Sequence, residues 1–109
     1  MPTSPLGEFE QLVLLAILQK GDAAFGLEVR TEIEGKAHRK VSRGAFYTTL
    51  ERLEQKGYLA WEEAIPEDPS RTAPLRRFRV TRAGLAALRS SRRALQALSR
   101  GLDELLEDA

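Results

Sequence analysis

Apolar residues in this chain recur at helical spacing up to Gly57, alternate at a spacing of two on either side of a proline-rich stretch, and return to helical spacing from Thr81 onward. That order predicts three helices, a pair of short strands and a closing helix. From Gly7 to Lys20, Phe9, Val13, Ala16 and Ile17 mark one helical face, and Leu12, Leu15 and Leu18 widen it, so this helix is expected to be buried on more than one side before Gly21 stops it. A second helix, from about Gly26 to Lys36, offers Phe25, Leu27, Val29 and Ile33 to the interior and directs Glu28, Arg30, Glu32 and Glu34 outward. It is too acidic to suit a nucleic-acid groove.

The stretch Val41 to Gly57, VSRGAFYTTLERLEQKG, is the one most like a working part. Ser42 suits a helix N-cap, and Gly57 suits the residue just past the end. Phe46, Leu50 and Leu53 fall at i, i+4 and i+7 and share a core-facing stripe. Opposite that stripe lie Gly44, Thr48 and Gln55, with Tyr47 on one flank and Arg52 on the other, so the outward face is small and nearly neutral. Such a face suits entry into a groove.

After Gly57, Leu59 and Trp61 alternate with Tyr58, Ala60 and Glu62, which predicts a half-exposed strand. PEDPSRTAP, with three prolines in nine residues, interrupts it. LRRFRV then turns Phe78 and Val80 inward and Arg77 and Arg79 outward, completing a β-hairpin with a long tip. Trp61 reads as a strand-packing residue rather than a ligand platform.

From Thr81, a further N-cap, helical spacing is expected to run to the end, about 25 residues and about 37 Å. Leu88, Leu95 and Leu102 repeat every seven residues, joined by Leu98 and Leu105, so the helix resembles a coiled-coil seam weakened by Ser91 and Gly101. A domain this small cannot cover such a stripe, and a second copy of the chain is the expected partner. Arg89, Arg92, Arg93 and Arg100 precede Asp103, Glu104, Glu107 and Asp108, an asymmetry that an antiparallel or crossing copy would complement.

Composition narrows the chemistry. The 109 residues, 42% hydrophobic and 30% charged, are those of an ordinary globular chain with one domain and an appended helix. The absence of cysteine excludes disulfides, thiolate catalysis and cysteine-containing zinc sites. No apolar run reaches the roughly 20 residues needed to cross a bilayer, and MPTSPLGEFEQ lacks a basic leader, so a cytoplasmic address is expected. His38, the sole histidine, stands in a polar turn without catalytic or ligating neighbours, and neither a catalytic nor a metal site is expected. Net charge is only +1, yet Ser70 to Arg82 carries Arg71, Arg76, Arg77, Arg79 and Arg82 without an acid, a strip able to meet phosphate.

Helix, helix, helix, strand, loop, strand is the order of a winged helix-turn-helix, whose third helix enters the major groove while the wing lies over the backbone or minor groove. The fold class expected is α+β, mostly α: a winged helix-turn-helix over 1–80 and a long C-terminal dimerisation helix over 81–109. Arg43 and Tyr47 are placed to reach phosphates, Thr48 and Arg52 to reach base edges, and Gly44 to allow close approach, with the N-cap Ser42 a further DNA-binding candidate. Arg71, Arg76 and Arg77 are the wing candidates. Glu51 lies near the same side and must point along the groove, accept from a cytosine amino group or pair with a basic neighbour. Leu88, Leu95, Leu98, Leu102 and Leu105 are the dimer candidates.

LGEFEQLVLLAIL, FGLEV, VSRGAFYTTLERLEQKGYL and RRFRVTRAGLAAL together resemble the PadR-like transcriptional regulators, most specifically at Ser42, Gly44, Phe46, Tyr47, Leu50, Arg52, Leu53, Glu54 and Gly57. The resemblance is to the short subclass with a single C-terminal helix. Thr48 stands where that family commonly has proline, and Arg77–Phe78 where it commonly has two tyrosines. The resemblance implies a homodimer joined through the C-terminal helix with help from the first helix, and a repressor, often responsive to a small molecule. In some members tryptophans on the last helix sandwich planar ligands. Here residues 81–109 hold no aromatic side chain, so that mechanism is not expected, no cofactor is expected, and any inducer is unknown. The expected partners are double-stranded DNA and a second copy, with no membrane. The alternative is a winged-helix protein-interaction module without specific DNA binding.

Overall fold

The structure is a computed structural model that describes residues 6–107. The stretch before Leu6, which holds the first five residues of the segment read as lacking a leader, and Asp108, read as part of the acidic chain end, lie outside the described residues. Helices α1 (Glu8–Lys20), α2 (Gly26–Ala37) and α3 (Arg43–Gln55) are followed by strands β1 (Leu59–Ala64) and β2 (Leu75–Val80), then α4 (Arg82–Ser99) and the single turn α5 (Asp103–Leu106).

The helix ends follow local chemistry. Glu10 reaches back to accept the Gly7 N–H at 2.8 Å, half of a capping box, and Lys20 closes the helix at its negative end. A 3-10 turn, Gly21–Ala23, leads to α2. That helix stops at His38, whose φ of 54° is left-handed. Ser42 accepts the Ala45 N–H at 3.1 Å, as an N-cap should. At the far end of α3, Gly57 has φ of 78°, its N–H donates to Glu54 O and the Tyr58 N–H donates to Leu53 O, each at 2.9 Å. This is a Schellman closure.

The core is built by α1, α2 and α3, the base of the hairpin and the start of α4. Phe46 and Leu53 are wholly buried and Leu50 nearly so, which is the stripe that the sequence predicts on α3. β1 and β2 pair antiparallel with Trp61 opposite Phe78 and Glu62 opposite Arg77. Phe78 is buried and Val80 half-buried, as alternation predicts. A feature with no sequence signal covers the outer edge of β2: an isolated bridge pairs Phe25 with Arg77, and the Phe78 N–H donates to Ala24 O at 2.9 Å. The start of α2 is thereby tied to the wing.

Two expectations about helix faces are corrected. Leu27 is 61% exposed, because Phe25, Val29 and Ile33 at four-residue intervals fix the inward face and Leu27 falls on the other side of the helix. Leu18 is also exposed, while Leu12 and Leu15 are half-buried, so α1 is covered on less of its circumference than its composition suggests.

The closing helix is not continuous. α4 spans 18 residues, about 27 Å at the usual rise, and ends where Arg100 becomes extended and Gly101 takes φ of 83°. Gly101 therefore breaks the heptad phase instead of merely weakening it. Leu102 and Leu105 lie beyond the break. The start of α4 is locked to the turn after α3: Thr81 Oγ1 accepts the Gly84 N–H at 3.1 Å and donates to Gly57 O at 2.6 Å, while the Thr81 N–H donates to Tyr58 O at 3.0 Å. Gly84 sits so close that a Cβ there would lie 2.3 Å from Tyr58 O.

Candidate nucleic-acid interface

α3 turns Arg43, Gly44, Tyr47, Thr48, Glu51, Arg52 and Gln55 outward and Phe46, Thr49, Leu50 and Leu53 inward. Thr49 was missing from the sequence reading, although 46, 49, 50 and 53 complete the i, i+3, i+4, i+7 stripe. Its hydroxyl is satisfied by Ala45 O at 2.8 Å, which makes burial tolerable. Ser42, expected near DNA, is exposed and already spends its hydroxyl on the cap.

Tyr47 is more constrained than an exposed tyrosine. Its ring packs edge-on against Phe46 with centroids 5.3 Å apart, and the Arg43 guanidinium lies 5.7 Å from its own centroid. Its hydroxyl abuts Gly26, where a Cβ would come within 2.8 Å of the oxygen. Glycine at 26 thus lets the two helices of the turn approach, and Tyr47 fixes Arg43 at the start of α3. Arg52 is exposed on the last turn. Its charge, with Lys56, bears on Glu10, where burial pushes the carboxyl up but the Lys56 and Gly7 hydrogen bonds and these two positive charges together hold it below the ordinary value. The ion pair of Glu10 with Lys56, at 2.8 Å, staples α1 to the end of α3.

The wing does not present a uniform positive strip. Arg71 is paired with Glu28 of α2 and lies 5.7 Å from the centroid of Phe25. Arg77 donates to Glu62 directly across the sheet at 2.8 Å, and this bond holds the Glu62 carboxyl below its usual range. Asp68 accepts from the Ser70 N–H at 3.0 Å and Ser70 Oγ at 2.8 Å and shapes the loop. Arg76 differs from both arginines: it is exposed, makes no ion pair among the described residues, and lies over the face of Trp61 at 4.1 Å. The other side of that connection is on α3, where Glu54 accepts the Trp61 Nε1–H at 3.3 Å. Alternation placed Trp61 on the packing side of the strand. It carried no signal for Glu54 or for Arg76.

On α4, Leu88 is 3% exposed and packed in the protomer's own core, whereas Leu95, Leu98, Leu102 and Leu105 are exposed, as is Leu106, which the heptad reading omitted. His38 is on the surface, and no group of His, Cys, Asp or Glu among the described residues could hold a metal ion. Nor is any described helix long and apolar enough to cross a membrane.

The sequence pattern of the transcriptional regulator PadR-like family matches residues 14–90, from the core of α1 through the first half of α4. The chain belongs to the PadR-like family. A curated relative, transcriptional regulator Rv3488 of Mycobacterium tuberculosis, is 44% identical over 61 residues, 56% of this chain and 53% of the relative. The chain therefore spans about half the length of the curated relative it matches. Among solved structures, a PadR-like transcriptional regulator from Bacillus cereus superposes with a TM-score of 0.69 at 21% identity, covering 93% of each chain. A padr family transcriptional regulator from Eggerthella lenta gives 0.64 at 27% identity, covering 94% of this chain and 88% of its own. These establish the winged-helix fold, and the family is one of transcriptional regulators, not of enzymes.

Proposed function

We propose that this PadR-like chain is a homodimeric repressor that binds an inverted-repeat operator, α3 of each protomer entering a major groove and each wing lying over the backbone. The observation that carries the reading is the outward face of α3. It is capped by Ser42, headed by Arg43 and lined by Gly44, Thr48, Arg52 and Gln55, with the acids Glu51 on it and Glu54 on its hairpin flank. Arg43, aligned by Tyr47, is assigned to phosphate, and Thr48 and Arg52 to base edges. In the wing, Arg76 is the arginine best disposed for phosphate, while Arg71 and Arg77 would first have to leave their carboxylates.

Leu95 and Leu98, three residues apart on the exposed part of α4, are assigned to the contact between copies, with Leu102 and Leu105 following after the break. The division into a DNA-binding unit, residues 1–80, and a dimerisation helix, residues 81–109, is a functional one, since α4 begins inside the core. A cytoplasmic address accords with this role.

Gel-shift titration across salt with Arg43→Ala and Thr48→Ala tests the reading. Arg43→Ala should weaken all duplexes alike and flatten the salt dependence, whereas Thr48→Ala should alter base preference at one position of each half-site. Binding to no duplex even at low salt would favour a protein-interaction module instead.

A further inference from the structure

We propose that Trp61 is a positioning residue for DNA: its ring, tethered to the recognition helix through Glu54, holds the Arg76 guanidinium in the cleft between α3 and the wing, ready to grip a backbone phosphate. The inference rests on the DNA-binding reading above and assigns a role to a residue which that reading does not use.

Three contacts form a chain. Glu54 of α3 accepts the Trp61 Nε1–H, Arg76 lies over the same ring at 4.1 Å, and Arg76 lines a cleft of about 290 Å³ together with Tyr47, Leu27 and Leu75. Tyr47 and Glu54 are seven residues apart and share the flank of α3 that the hairpin adjoins. One side of this cleft therefore belongs to the recognition helix and the other to the wing.

The chemistry suits a phosphate clamp. A guanidinium resting by its face on an aromatic ring keeps its N–H edges free, and those edges are what form bidentate bonds to a phosphate. Stacking also fixes a long side chain that would otherwise lose rotamer freedom on binding. Glu63 stands directly opposite Arg76 in the strand register, yet the two form no ion pair among the described residues, and Arg76 takes the ring instead. Lysine could supply the charge at this position but not the stack.

The full chain and a mixed-sequence 30-base-pair duplex suffice for the test, because phosphate contacts do not depend on sequence. Arg76→Ala should weaken binding about tenfold and lower the salt slope by about one. Trp61→Leu should weaken it to a similar extent although no charge is removed, and Trp61→Leu/Arg76→Ala should be no weaker than Arg76→Ala. Additive losses in the double variant would overturn the proposal and leave Trp61 as packing alone. Should Trp61→Leu not fold, Arg76→Lys decides: an affinity near that of Arg76→Ala with the slope retained supports positioning, and wild-type affinity overturns it. Trp61 is the sole tryptophan, so its emission reports independently. Duplex should shift wild-type emission and leave Arg76→Ala unshifted, and an equal shift in both would contradict the clamp. A wild type that binds no duplex at low salt would overturn the DNA-binding reading and this inference together, whereas the other failures strike the inference alone.

Discussion

Arg71, in the loop of the hairpin, is bonded to the Glu28 carboxylate near the start of α2, 43 residues earlier in the chain. This joins the wing to the second helix on one side, as Trp61 and Glu54 join it to the third on the other. The wing is thus braced twice against the helix-turn-helix core. Glu28 has one oxygen, Oε1, that is buried without a hydrogen-bond partner, so the carboxylate depends on Arg71 for compensation.

Removing that compensation should be costly to the fold. Arg71→Ala is expected to destabilise the protein by about 1–3 kcal/mol, the usual range for stranding a buried polar group. Arg71→Ala/Glu28→Ala should recover part of the loss, because the stranded carboxylate goes with it. Urea unfolding of the two variants checks this, and an Arg71→Ala midpoint equal to wild type would contradict the brace.

His38 should be a site of easy stabilisation. It closes α2 in the left-handed region with φ of 54°, which a side chain disfavours and glycine tolerates. His38→Gly is expected to raise stability by about 0.5–1 kcal/mol, seen as a higher urea midpoint at unchanged slope.

The contact of α4 with the turn after α3 leaves no room for a methyl group. Gly84→Ala would place a carbon 2.3 Å from Tyr58 O, so α4 must shift. A loss of about 1–3 kcal/mol is expected, as for other overpacked sites. If α4 joins the copies, the shift also changes the separation of the two α3 helices, and affinity for the operator should fall by more than the stability loss explains.

Glu10 gives the fold a pH dependence of known sign. Burial raises its carboxyl, but the Lys56 and Gly7 hydrogen bonds and the nearby positive charges outweigh it, so the folded value lies below the unfolded one. Its contribution is then fully present above the unfolded value, about 4.3, and is lost as pH falls through the folded value. Melting temperature should drop below about pH 4 in the wild type, and Glu10→Gln should start lower and lose less over that range.

Much of this architecture is legible in the amino-acid sequence. Ser42 and Gly57 bounded α3, the 46, 50, 53 stripe gave its buried face, and the alternation around three prolines gave the hairpin, because each rests on local geometry and periodicity. Two of the differences, at Leu27 and Gly101, are local, and two, at Leu88 and the arginine strip, are long-range. Leu27 is grouped with the buried set by helical spacing, yet it falls off the face that Phe25, Val29 and Ile33 share. Leu88 was grouped with the outer heptads because sequence does not show that α4 enters the core before leaving it. The arginine strip was read as uniform because nothing near Arg71 or Arg77 in sequence announces Glu28 or Glu62. Gly101 was weighed as a weak point in a helix when its left-handed backbone ends one.

Selection of bound duplexes from a random pool by the purified chain tests the central claim most directly. Two α3 helices held by one dimer should enrich an inverted repeat whose half-sites lie one helical turn apart, about 10–10.5 base pairs centre to centre, or a multiple of it. Enrichment of no sequence, or of single or directly repeated half-sites, would contradict it.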